Sequence, residues 1–236
     1  MRVAVLNDIH GNLPALEAVL AEVEHEGVDA IVSGGDVVWG PLPAECLELL
    51  VARGAHFVRG NADRDVLTGQ DEVDRFCAPL LNEGQMAHVG AWPLTVELDV
   101  DDVGRVLFCH ATPRSDEEIV TKVTPDSVIA ELLSDVTADL VVCGHTHVQF
   151  DRAVTGAPRL VNAGSVGMPY EGDPDARWAL LGPDIELRRT PYDVEAAIAE
   201  LVATGMPGVE RIVVRALRGE VAPDDAVRFF ESQRGA

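Results

Sequence analysis

Apolar residues fall into short runs along the chain, and many of them stop at a cluster of Gly, Asp, Asn or His. The first run, residues 2–6, ends at Asn7-Asp8-Ile9-His10-Gly11-Asn12. Beyond it Leu16, Val19, Leu20 and Val23 recur at helical spacing, with Asn12 placed to cap the helix and Pro14 in its first turn. Residues 29–33 and 55–58 form similar runs that end in Gly34-Gly35-Asp36 and Arg59-Gly60-Asn61, and residues 43–52 between them read as a helix. This alternation of strand, loop and helix predicts an α/β core for the first half.

The pattern changes after residue 93. Residues 94–100 and 105–109 read as two strands joined by a polar turn, and a helical stretch over 125–135 leads to a buried strand at 139–143. Short β-like runs follow at 149–154, 159–162, 178–181 and 185–189, separated by Gly, Pro and Asp turns, so a mixed β-sheet region is expected with its pairing order open. From residue 191 the spacing is helical again: Val194, Ile198, Leu201 and Val202 share a face, and Pro207 and Pro223 break the tail into short helices. The expected organisation is one domain over residues 1–190 and a helical extension, 191–236, packed on or beside it.

Composition narrows the function classes. Hydrophobic residues make up 47% and aromatics 5%, which excludes a disordered chain and rests the core on Val, Leu, Ile and Ala. A net charge of −22, from 40 acidic and 18 basic residues, disfavours nucleic-acid polymers and anionic membranes as partners. No apolar run reaches the roughly 18 residues of a membrane span, and no secretory apolar segment follows Met1. Cys46, Cys77, Cys109 and Cys143 form no CxxC pair and read as reduced thiols, so a cytoplasmic location is expected.

The candidate chemistry lies just after the strand-like runs. Asp8-x-His10, Gly35-Asp36, Gly60-Asn61, His110 and Gly144-His145-Thr146-His147 each follow one. Loops at the carboxyl ends of strands converge on one crevice, and five loops delivering Asp, His and Asn to one edge suit a polynuclear metal site. An i,i+2 pair in an extended loop projects two ligands to one side. The glycines before Asp36 allow a tight turn, its two carboxylate oxygens can bridge two cations, and Asn61 offers a neutral carbonyl oxygen. Mixed imidazole and carboxylate ligation suits Mn, Fe, Co, Ni or Zn. Each motif alone is weak, since a lone Asp after a strand usually caps a helix and a lone His is usually ordinary. Their conjunction in this order is what carries weight.

Asp-x-His, Gly-Asp, Gly-Asn, His and Gly-His-Thr-His in that order resemble the calcineurin-like metallophosphoesterase superfamily, most of all its small prokaryotic phosphodiesterases and serine/threonine-phosphatase-like members. The likeness extends to residues 7–20, 35–50, 110–114 and 162–174 and covers roughly residues 1–190, with Ala163 where the family usually has Pro. The resemblance implies a four-layer α/β/β/α sandwich, an α+β fold of two mixed sheets flanked by helices. It implies two divalent metals, one held by Asp8, His10, Asp36 and His147, the other by Asp36, Asn61, His110 and His145, with Asp36 bridging. Two such cations lower the pKa of a bridging water and neutralise charge on a phosphoryl group, so phosphodiesters, phosphomonoesters or nucleotide anhydrides are the expected substrates. No protein nucleophile is required.

The sequence departs from the family at one position. Many members have His after Gly-Asn, where it serves the leaving group, whereas this chain has Ala62. Losing a general acid costs about 10²–10⁴ in rate with a poor leaving group and much less with a good one. Asp63, or a metal-bound water, becomes the candidate replacement donor beside the catalytic set Asp36, Asn61 and His110. Arg64 and Arg114, with Arg59, adjoin the motifs and are expected to hold phosphate oxygens. Tyr170 and Trp178 read as packing residues. The expected partner is a small phosphorylated molecule, nucleotides included, with the oligomeric state open. The competing class is a non-catalytic scaffold or nucleotide sensor on the same fold, disfavoured because all seven ligand positions are filled.

Overall fold

The computed structural model describes residues 1–235. Its strands form two five-stranded mixed sheets. The first contains β1 (Val3–Leu6), β2 (Ala30–Ser33), β3 (His56–Phe57), β9 (Ala176–Leu181) and β10 (Ile185–Thr190), in the order β10-β9-β1-β2-β3. The second contains β4 (Thr95–Val100), β5 (Gly104–Cys109), β6 (Leu140–Cys143), β7 (Phe150–Arg152) and β8 (Arg159–Asn162), in the order β4-β5-β6-β8-β7. The strands that end at the candidate motifs, β1, β2 and β3 in one sheet and β5 and β6 in the other, run parallel to their motif-bearing neighbours. Their carboxyl ends therefore open at one edge of the molecule.

Side-chain alternation separates the layers. In β1, Val3 and Val5 point into an inter-sheet core with Val106, Phe108, Leu140, Val142 and Val161, while Ala4 and Leu6 face the other way. There they meet α1 (Leu13–Glu26) and α2 (Pro43–Ala52) through Leu16, Val19, Leu20, Leu47 and Leu50. The outer face of the second sheet presents Leu107, Val141 and Leu160 to Ile129 of α6 (Asp126–Leu132). Each sheet is thus buried on both faces, which gives the helix–sheet–sheet–helix sandwich that the motifs imply.

Three short helices lie between β3 and β4: α3 (Asn61–Thr68), α4 (Glu72–Cys77) and α5 (Glu83–Gly90). The C-terminal residues form α7 (Val194–Ala203), a π-helical stretch (Glu210–Val214) that runs into α8 (Arg215–Leu217), and α9 (Pro223–Gln233). Ile198, Leu201, Val213 and Val214 join the same buried cluster as α1, so the tail is seated on the core of the first sheet. No helix of the described residues is long and apolar enough to cross a membrane.

Candidate metal centre

The five candidate loops meet where β1, β2, β3, β5 and β6 end. Asp8, His10, Asp36, His110 and His147 are all buried. Asp36 Oδ2 stands 3.6 Å from His10 Nε2 and 3.5 Å from His110 Nε2. On one side of Asp36, His10 Nε2 lies 3.1 Å from His147 Nε2, which lies 3.4 Å from Asp8 Oδ1. On the other, His110 Nε2 lies 3.1 Å from Asn61 Oδ1 and 3.2 Å from His145 Nδ1. Asp8, His10 and His147 offer ligand atoms within 4.8 Å of one another, and so do Asp8, Asp36 and His110. All seven expected ligands are brought together.

The chemistry of this donor set can be tested on its hydrogen bonds. Nδ1 of His110 faces the carbonyl of Gly34 at 2.9 Å, and Nδ1 of His147 faces the carbonyl of Met168 at 2.8 Å. A carbonyl only accepts, so each Nδ1 carries the proton and each Nε2 turns a lone pair toward the carboxylates. Lone pairs facing carboxylate oxygens repel unless a proton or a metal cation lies between them. Turned over, the Asn61 amide would aim its amino group at His110 and His145 instead. The residues therefore fit divalent metal, and mixed O and N donors suit the transition series.

Protonation follows the same logic. Burial, then the carboxylates of Asp63 and Asp8, push Asp36 up to about 7 against the pull of His110. The same burial acts on Asp8, but His147, His110 and His10 hold it at about 2. Burial, followed by the neighbouring imidazoles, brings His10 and His145 each down to about 3, so both rings stay neutral and able to ligate.

The backbone explains the close convergence. Asp8, His10, Asp36, His145 and His147 all have φ between 48° and 66°, the left-handed region. The paired ligands are thus not in an extended loop, as the spacing suggests; a left-handed turn at both members brings i and i+2 to one side, with Ile9 and Thr146 buried between them. Gly60 packs so tightly that an added Cβ would lie 2.1 Å from Asp36 Oδ1. Supports come from further along the chain: Ser165 Oγ donates to the carbonyl of Asp8 at 2.7 Å, and Asn162 donates to that of Gly144 at 2.6 Å. The Asn162–Gly167 stretch that carries part of the family likeness is therefore a brace behind the ligands.

Four expected roles are corrected. Asp63 is fully buried and points away from the cavity: it accepts the backbone N–H groups of Asp36, Val37, Val38 and Gly60, so its carboxylate is held by the loops and not presented to a leaving group. Arg64 pairs with Asp65, Asp116 and Glu117. Arg114 pairs with Glu118, and neither arginine lines the metal cavity. Arg59 is likewise taken by Asp116. Trp178 is core, as expected, whereas Tyr170 stacks on His147 with ring centroids 4.5 Å apart and lines the cavity.

That cavity, about 340 Å³, opens over His10, Asp36, Asn61, His145 and His147. Ala62, Asp65, Asp71 and Asp74 also line it. Of the further contributors, Trp39 and Ile212 had no reading from the sequence and Tyr170 read as packing; none carries ligand chemistry. An aromatic next to a Gly/Asp turn, as in Tyr170-Glu171-Gly172-Asp173, was the one signal available for them.

Comparison with known proteins agrees with this geometry. Residues 1–182 match the family model of the calcineurin-like phosphoesterase superfamily domain. The uncharacterized protein MJ0912 of Methanocaldococcus jannaschii is 30% identical over 235 aligned positions, which cover 87% of this chain and 93% of that protein. A crystal structure of a metallophosphoesterase from Sphaerobacter thermophilus superposes with a TM-score of 0.75 at 26% identity, covering 93% of this chain and 99% of that one. The hypothetical protein PH1004 of Pyrococcus horikoshii shares the fold, with a TM-score of 0.78 at 19% identity over 92% of this chain and 98% of that one. The chain therefore belongs to the calcineurin-like phosphoesterase superfamily, and its general activity is metal-dependent phosphoester hydrolysis.

Proposed function

We propose that the protein is a two-metal hydrolase of phosphodiesters, phosphoanhydrides and other phosphoesters with good leaving groups. The observation that carries this reading is the position of Asp36 Oδ2, nearly equidistant from His10 Nε2 and His110 Nε2 and between two ligand groups. Asp8, His10, Asp36 and His147 would hold one cation; Asp36, Asn61, His110 and His145 the other. Such a pair supplies a water-derived nucleophile at neutral pH and charge neutralisation on the phosphoryl oxygens. Manganese, iron, cobalt, nickel and zinc all suit these ligands.

The chain's own residues orient and select. His110 and His147 are fixed in one tautomer by the carbonyls of Gly34 and Met168, so their lone pairs stay aimed inward. In the cavity lining, Ala62 has no proton to give, which favours groups that depart as stable anions, such as phenolates and phosphates. Asp65, Asp71 and Asp74 also line the cavity, but Asp65 pairs with Arg64, and Asp71 and Asp74 accept the N–H groups that start α4, so none is a free charge facing a phosphate. Ala62 therefore favours a diesterase or anhydride hydrolase over a protein phosphatase.

The test is hydrolysis of bis-p-nitrophenyl phosphate and p-nitrophenyl phosphate across Mn, Ni, Co, Zn and Mg, with Asp36→Asn as control. Turnover that requires a transition metal and falls by at least about 10³ in the variant is expected, and the diester/monoester ratio ranks the substrate classes. Tight metal binding without turnover of either ester would instead favour a sensor or scaffold.

A further inference from the structure

A second groove, of about 400 Å³, runs beside the metal cavity and shares Tyr170 and Ile212 with it. It is built by the C-terminal segment that lies beyond the family match at residues 1–182. Phe229 and Phe230 of α9 line it together with Arg211 and Arg215, one helical turn apart, and with Glu220. Phe230 stands 6.0 Å from the ring of His145 and 6.4 Å from that of Tyr170, so an aromatic path leads from the metal ligands into the groove.

Charge sets this groove apart. The protein carries a net −22, and Asp65, Asp71 and Asp74 are among the residues that line the metal cavity. In the groove, Arg211 has no carboxylate partner among the described residues, and Arg215 has only Glu220, at 4.0 Å. Asp225, also lining it, is taken by Arg228. Phe229 is 61% exposed, the most exposed large apolar side chain described. An exposed aromatic face beside one unpaired and one loosely paired guanidinium group suits a flat ring attached to a phosphate.

Resting on the two-metal reading, we infer that this groove binds the leaving group of the substrate, and that the leaving group is a nucleotide joined to the scissile phosphoryl group through an anhydride. Its base lies against Phe229 and Phe230 and its phosphate on Arg211 and Arg215. Hydrolysis breaks the bond from the scissile phosphorus to the bridging oxygen and forms one from a water oxygen to that phosphorus. The electron pair leaves on the nucleotide phosphate and the water's proton passes to solvent. A phosphate leaving group needs no proton from position 62, where this chain has Ala.

ADP is the smallest probe that carries a base, a groove phosphate and a phosphoryl group for the metal cavity. Manganese-loaded protein is titrated calorimetrically with ADP and with orthophosphate, as wild type, as R211A/R215A and as Phe229→Ala. These side chains are exposed, and an unchanged thermal midpoint verifies the fold of each variant. Wild type is expected to bind ADP at least about tenfold more tightly than orthophosphate. R211A/R215A should lose that advantage with orthophosphate affinity unchanged, and Phe229→Ala should lose part of it. Equal affinity for the two ligands in wild type, or an advantage that survives in R211A/R215A, overturns the inference. Hydrolysis of bis-p-nitrophenyl phosphate by the same preparations reports separately on the metal reading, because that ester needs neither arginine.

Discussion

The carboxylate of Asp63 sits directly behind Asp36 and accepts its backbone N–H at 2.7 Å. The same oxygen takes the N–H of Gly60 at 3.0 Å, and the other oxygen takes those of Val37 and Val38 at 2.8 and 2.9 Å. One side chain thus ties the loop after β2 to the start of α3. The bridging carboxylate is aimed by a residue that never reaches the cavity.

Asp63→Asn should therefore behave as a positioning change. The amide keeps one acceptor and turns its NH₂ toward two N–H donors, a cost of about 2–4 kcal/mol in stability. Chemical denaturation measures that loss, and metal retention should weaken with it. The shape of the pH–rate profile should stay as in wild type; disappearance of its basic limb would return Asp63 to a proton-donating role.

Leaving-group preference tests the cavity lining at position 62, where the Ala62 N–H donates to Asp36 Oδ1 at 2.9 Å and the side chain is a methyl. Wild type should hydrolyse p-nitrophenyl phosphate faster than serine phosphate by about 10²–10⁴. Ala62→His should narrow that ratio by roughly 10², acting on the alkyl ester alone. Comparable rates for both esters in wild type would show that a donor is already present.

Metal affinity should depend on pH with a definite sign. Asp36 is pushed up to about 7 by burial, and the carboxylates of Asp36 and Asp8 raise His110 despite its burial. At pH 6 this pair therefore holds a proton that a cation must displace. Affinity should rise roughly tenfold per pH unit below 7 and level off above it. Calorimetry at pH 6 in two buffers of different ionisation enthalpy counts the released protons, and Asp36→Asn should release fewer. His10 and His145, each at about 3, add none at that pH.

Much of the site was legible because its parts are local. Each ligand motif sits where an apolar run stops, and α2 (Pro43–Ala52) and β8 (Arg159–Asn162) begin and end where hydropathy says they should. The stretch from Asn61 to Gly90 was silent because α3, α4 and α5 are short and partly polar. Their starts are written in capping pairs, Asp71 with Asp74 and Asn82 with Gln85, not in an apolar stripe. Asp63, Arg64 and Arg114 were misread for a different reason. Adjacency to a motif says nothing about direction, and their partners, the loop amides after β2 and the carboxylates of Asp116 and Glu118, are set by the fold. The aromatic groove was illegible too, since it joins Tyr170 to residues 211–230 across the surface.

Asp8, His10, Asp36, His145 and His147 hold left-handed backbones that a residue with a Cβ adopts at roughly 1–2 kcal/mol each. Glycine at any of the five would relieve that strain and remove a ligand in the same step, so folding stability and metal affinity oppose each other at these positions.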